Sequence, residues 1–135
     1  MILGNTIGTF LIAYAVRLTK PELVDMASNL WINKLNYTGE QVAYLSAFCG
    51  IMMYLAVDNY KKNNNIVFIM MPVIIFILSG FEHSIANIFY LFLSKDVGVY
   101  PIAFIIVCLF GNAVGAKCFH IIKKQLEELH YNENN

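Results

Sequence analysis

Charge is what this sequence has least of. Of its 135 residues only 13% are charged, about half the share of an ordinary soluble domain. Nine Lys plus Arg balance nine Asp plus Glu, so the net charge is zero. That balance removes any overall electrostatic basis for binding nucleic acid. Cysteine is sparse too. Cys49, Cys108 and Cys118 are an odd number, lie in or beside apolar runs and show no Cys-x-x-Cys spacing, which points to neither a disulfide framework nor a zinc site. Cys118 and His120 stand two apart without a third ligand, so no metal is expected, nor any other cofactor. There is no P-loop, no G-x-S-x-G and no nucleophile with an evident base. Enzymes are therefore the least supported class. What is abundant is apolar: 59% of residues are hydrophobic and the mean hydropathy is +0.60. A disordered chain is excluded, and a single all-α integral membrane domain in a lipid bilayer is expected.

Four apolar stretches divide the chain, at about 2–16, 42–57, 66–93 and 99–122, followed by a polar tail at 123–135. A spanning helix needs about 20 residues. The second and fourth stretches suit that length, whereas the first is short and resembles a helix whose beginning is missing. The third is too long for one straight span. It divides into Ile66–Ser79 and Ser84–Ser94 around Ser79, Gly80, Glu82 and His83, and each piece is too short to cross about 30 Å of hydrocarbon. A helix broken near 80–83 is expected. Irregular backbone at that depth is tolerated only where protein buries it or a wet cavity borders it. The 17–40 connection reads as polar, with a short interfacial helix that carries Trp31 near the headgroups. Lys95 and Asp96 read as a tight turn, and the tail as a helix that soon frays. If the 58–65 turn and the tail share a side, that side holds Lys61, Lys62, Lys117, Lys123 and Lys124 against Arg17, Lys20, Lys34 and Lys95. This slight excess favours a cytoplasmic C-terminus in the cell membrane.

Glu82 and His83 carry the strongest functional signal, because an ionisable residue at the centre of a membrane segment is expensive and marks function by default. A structural pair, with Glu82 ion-paired and His83 hydrogen-bonded to a neighbouring helix, is the plainer alternative. On a continuous helix Phe76, Gly80, His83 and Asn87 share one face. That face offers an aromatic gate, a close backbone approach, a proton donor and an amide. The half-helix from Ser84 points its positive dipole end back at His83, which favours an anion there. Neutral imidazole donates one hydrogen bond to such an anion; protonated, it can hand over a proton. A second signal is an internal echo. GNTIG at Gly4–Gly8 recurs as GNAVG at Gly111–Gly115. Glycines four apart allow close helix packing, and the matched Asn5 and Asn112 suit a repeat whose two copies face one pathway. A membrane protein that only packs against partners remains the alternative to transport.

The stretch GFEHSIANIF at Gly80–Phe89 resembles the GFEHSIANMF motif of the formate/nitrite transporter family. Leu55–Val57, GNTIGT and GNAVGA resemble further family motifs in the same order, so the resemblance covers essentially the whole chain as the family's third to sixth membrane helices. It implies an aquaporin-like channel bundle that assembles as a homopentamer and passes small monovalent anions such as formate, nitrite or hydrosulfide. By motif, His83 is similar to the central pore histidine, Phe76 to a constriction residue, Asn112 to a pore-facing amide and Glu82 to the acid preceding the histidine. Lys34 falls where the family has a lysine associated with that acid. Gly50 stands where many members have Asn, and Asp58 where many have Trp, so the anion is left open. Nothing corresponds to the family's first two helices. The expectation is an N-terminally incomplete bundle with part of the constriction absent, either a fragment of a longer polypeptide or a truncated or decayed channel that is inactive alone.

Overall fold

In a computed structural model, residues 2–94 and 97–133 are described, Glu133 by its backbone alone. The expected turn at Lys95 and Asp96 lies outside the described residues. Six helices run in order: α1 (Ile2–Thr19), α2 (Pro21–Leu35), α3 (Gly39–Asn63), α4 (Val67–Leu78), α5 (Ser84–Ser94) and α6 (Val99–Glu133). Among the described residues α1, α3 and α6 are long and apolar enough to cross a membrane. The short pair α4 and α5 spans about 18 and 16 Å, and 79–83 separates them as a non-helical break. That is the break the polar cluster predicts.

Local chemistry sets the ends. Thr38 caps α3 reciprocally: its side chain accepts from the Gln41 N–H, and the Gln41 side chain accepts from the Thr38 N–H at 2.8 Å. This satisfies two otherwise orphaned donors. Asn64 closes α3 in the left-handed conformation. Pro21 occupies the first turn of α2, where a missing N–H costs nothing.

Packing is most extensive between α3 and α6. α4 lies on α3, and α5 is held by α1, α2 and α6. The intimacy of α3 and α6 follows from small residues. A Cβ at Gly111 would collide with Ser46, one at Gly115 with the Ala47 backbone and one at Gly50 with the Asn112 backbone. The core gathers Trp31, Val42, Ile88, Leu91, Phe104, Ile105 and Cys108.

Three expectations need correction. The 17–40 connection is not mainly loop, since α1 runs on to Thr19 and α2 is a full 15-residue helix. Trp31 is not at a headgroup surface: it is 0% exposed and meets Phe104 edge-on at 5.4 Å. The spacing Ala27–Trp31–Lys34 turns one face of α2 onto α5 and α6, so burial overrides the interfacial preference of tryptophan. The tail does not fray early, for α6 stays helical through Glu133. Lys62 pairs with Glu127 at 2.6 Å and Lys123 with Asp58, and these pairs tie the end of α6 to the end of α3. The turn and the tail therefore do share a side.

Candidate functional site

The break is built from Ser79 to His83, between two helices that cannot join. Gly80 adopts φ +66°, a conformation that glycine reaches without a Cβ penalty. No atom lies within 4 Å of a Cβ built there, so its contribution is conformational. Among the described residues no helix approaches Gly80 closely, contrary to expectation. Phe81 stacks on Phe48 of α3, with ring centroids 5.5 Å apart. The chain then turns Glu82 inward and His83 toward the opposite side.

Glu82 is 1% exposed. Lys34 of α2 donates to both of its carboxylate oxygens, at 2.8 and 2.7 Å, and the Asn87 amide donates to one of them at 2.9 Å. A buried charge is tolerable only when it is paired and hydrogen-bonded in this way. Lys34 keeps part of its side chain exposed, at 23%, and its ammonium lies 5.8 Å from the centre of the Tyr90 ring. The sequence places Lys34 beside Glu82 only through the resemblance, and the geometry brings the two together.

The main chain of the break is held as firmly. The Glu82 N–H reaches the Leu45 carbonyl at 3.3 Å. The Glu82 carbonyl accepts from Asn112 at 2.9 Å and from the Cys108 thiol at 3.3 Å. The Ser84 N–H donates to Asn112 Oδ1 at 3.0 Å, and Asn112 Nδ2 donates also to the Ser46 carbonyl at 2.8 Å. Leu45, Ser46 and Cys108 go unnoticed in the sequence. Only the spacing of Cys108 and Asn112, one helical turn apart, hints that both face the same neighbour.

His83 itself faces a groove of about 510 Å³ between α1 and α5, lined by Gly4, Asn5, Gly8 and Thr9 on one side and by His83, Ile85, Ala86 and Phe89 on the other. The Phe76 ring stands 5.9 Å from the imidazole, tilted by 44°. Among the described hydrogen bonds none uses the N–H of Ile85 or Ala86, so the first turn of α5 presents free donors beside the histidine. Glycine at positions 4 and 8 leaves open space, with nothing within 4 Å of a Cβ there.

The structure thus divides the expected set. His83, Phe76 and Asn5 meet at or beside the groove. Asn87 does not share the groove with His83: it is 0% exposed behind the groove, against Glu82 and Cys108. Asn112 does not line the groove either, since its amide is spent on the backbone of the break. The two echoed motifs part company in the same way. Gly111 and Gly115 pack against α3, while Gly4 and Gly8 pack against no described helix. Among the described residues no group of three His, Cys, Asp or Glu side chains is placed to hold a metal.

No curated protein and no solved structure matches the chain significantly. A family model described as formate/nitrite transporter matches residues 1–123, a stretch that includes every residue of the break and of the groove. The chain belongs to the formate/nitrite transporter family, and its all-helical build with one broken helix is of the aquaporin-like channel class that goes with it.

Proposed function

We propose that the groove between α1 and α5 is one wall of a transmembrane pathway for small monovalent anions, formate, nitrite or a close relative, with His83 as its central polar contact. The single observation that carries this reading is the arrangement at the break. His83 lines the groove together with Ile85 and Ala86, whose N–H groups no described hydrogen bond uses, while the acidic Glu82 is buried and neutralised by Lys34. An anion therefore meets neutral donors and a helix dipole, and no bare carboxylate. Neutral donors suit passage better than a fixed cation, because a conducting site must bind weakly enough to release. Phe76 beside the imidazole limits the size of what passes, and Asn5 and Thr9 supply polar contacts across the groove.

A complete pathway needs a second wall facing this groove. On this reading helices from outside the described residues supply it in the assembled channel. The same reading carries a homopentamer in the plasma membrane. The shared side of the turn and the tail, with Lys61, Lys62, Lys117, Lys123 and Lys124, supports a cytoplasmic C-terminus. The competing reading is a packing-only membrane protein; the exposure of nearly all of α4, where only Pro72 is buried, favours it to that extent. Uptake of labelled formate and nitrite in cells that express the chain, compared with the His83→Phe variant, separates the two. We expect uptake that falls at least about tenfold in the variant. Equal uptake in both overturns the role of His83.

A further inference from the structure

The side chain of Asn112 brackets His83. Its carbonyl oxygen accepts from the Ser84 N–H at 3.0 Å, and its nitrogen donates to the Glu82 carbonyl at 2.9 Å. These are the two residues that flank the histidine in the chain. Only one amide orientation satisfies both, because a flipped amide would set a donor against the Ser84 N–H and an acceptor against a carbonyl. The second hydrogen of Asn112 Nδ2 goes to the Ser46 carbonyl at 2.8 Å, which anchors the bracket to α3. One turn earlier on α6, the thiol of Cys108 donates to the same Glu82 carbonyl at 3.3 Å, and its sulfur lies 3.4 Å from Asn87 Nδ2. Cys108 is buried. No atom of either residue is placed to meet an anion in the groove.

We propose that Asn112 and Cys108 form a two-donor clamp on α6 that fixes the peptide groups on either side of His83 and so aims its imidazole into the groove. They are positioning residues, acting through the backbone without touching the anion. The proposal rests on the reading of the groove as an anion pathway and adds to it how the pathway's central contact is oriented. The close crossing of α3 and α6 at Gly50, Gly111 and Gly115 is what brings the clamp within reach. Removing one donor loosens the loop without removing the histidine. The clamp therefore acts on how well the anion is held, while a thiol that only filled space would act on the amount of folded protein.

The test compares Cys108→Ala, Cys108→Ser and Asn112→Asp with the unaltered chain and with Cys118→Ala, a thiol outside the clamp, at matched amounts in nanodiscs and in transport-competent membranes. Asn112→Asp keeps the acceptor for Ser84 and loses both donors. Two readouts are taken: amide hydrogen exchange over 82–84, and the formate concentration that half-saturates uptake. We expect Cys108→Ala to raise that concentration about threefold, as befits one modest net hydrogen bond. Cys108→Ser should restore it, because serine keeps a donor, and Asn112→Asp should raise it further. Exchange over 82–84 should rise in the same order and stay unchanged in Cys118→Ala. Unchanged exchange over 82–84 in Cys108→Ala and Asn112→Asp overturns the clamp. If the unaltered chain carries no formate while exchange follows the expected order, the clamp stands and the transport reading falls.

Discussion

Two stretches of this chain carry nearly the same five residues, GNTIG in α1 and GNAVG in α6, and the fold uses them in opposite ways. In α6 both glycines are filled by the backbone and side chains of α3, and the asparagine between them is spent on the broken helix. In α1 both glycines face open space, and the asparagine lines the groove opposite His83. A small-residue pattern specifies that something is to come close, but not what. In α6 it is another helix, which makes the motif a stability element. In α1 it is the groove itself, which on the proposed reading makes the motif part of the pathway. The same division runs through the break: its inner side, around Glu82, is bonded at nearly every polar atom, and its outer side, around His83, keeps donors free.

The largest effect that would break this comparison lies on the inner side. Lys34→Met leaves Glu82 as a buried, unpaired charge, and thermal unfolding in detergent should show a loss of about 3–5 kcal/mol. The double variant Lys34→Met/Glu82→Gln should recover most of it. Were Lys34→Met neutral, the inner side would not be the stability element described. Next in size is Gly115→Ala, whose new Cβ meets the Ala47 backbone. Overpacking of this kind costs about 1–3 kcal/mol, to be read from the same unfolding curves. Gly4→Ala and Gly8→Ala are expected to move stability by less than about 1 kcal/mol and in the stabilising direction, because alanine is the better helix former and no neighbour is displaced. They should nevertheless lower uptake by narrowing the groove. Opposite signs for the two motifs are the sharpest mutational form of the comparison. The smallest effect is expected from the pairs Lys62–Glu127 and Lys123–Asp58 at the far end of α3 and α6. Single charge removals there should cost no more than about 1 kcal/mol each and lose their effect in high salt.

The break was legible because the membrane leaves so little room for polar residues. Ser79, Gly80, Glu82, His83 and Ser84 in the middle of an apolar run have few explanations, and two pieces each too short to span confirm the reading. The facing of Asn87 was not legible. Helical spacing puts it beside His83 only if His83 is itself helical, and His83 is the last residue of the break, where side-chain direction follows no spacing rule. Trp31 was misread for a related reason. Its taste for interfaces is a general tendency, whereas its burial depends on Phe104, which lies 73 positions away in the chain. The length of α6 was underestimated because a hydropathy profile ends where charges begin. Those charges are spaced four apart, as in Lys123–Glu127 and Lys124–Glu128, and such pairs sustain a helix in water. Leu45 and Ser46 contribute carbonyl oxygens to the site, and a main-chain carbonyl leaves no mark on a sequence.

The central claim is that the face of the break carrying His83 borders a wet, anion-occupied path, while the apolar groove between α3 and α6 does not. Cysteine accessibility tests this most directly. In a Cys118→Ser background, Ala86→Cys places a thiol in the His83 groove, and Val107→Cys places one in the apolar groove lined by Ala43, Ala47 and Phe110. With the protein in membranes, a small water-soluble thiol reagent is expected to modify Ala86→Cys, and millimolar formate or nitrite is expected to slow that modification, while Val107→Cys stays unmodified. Modification of Val107→Cys with Ala86→Cys left untouched, or modification of Ala86→Cys that neither anion slows, would contradict the account.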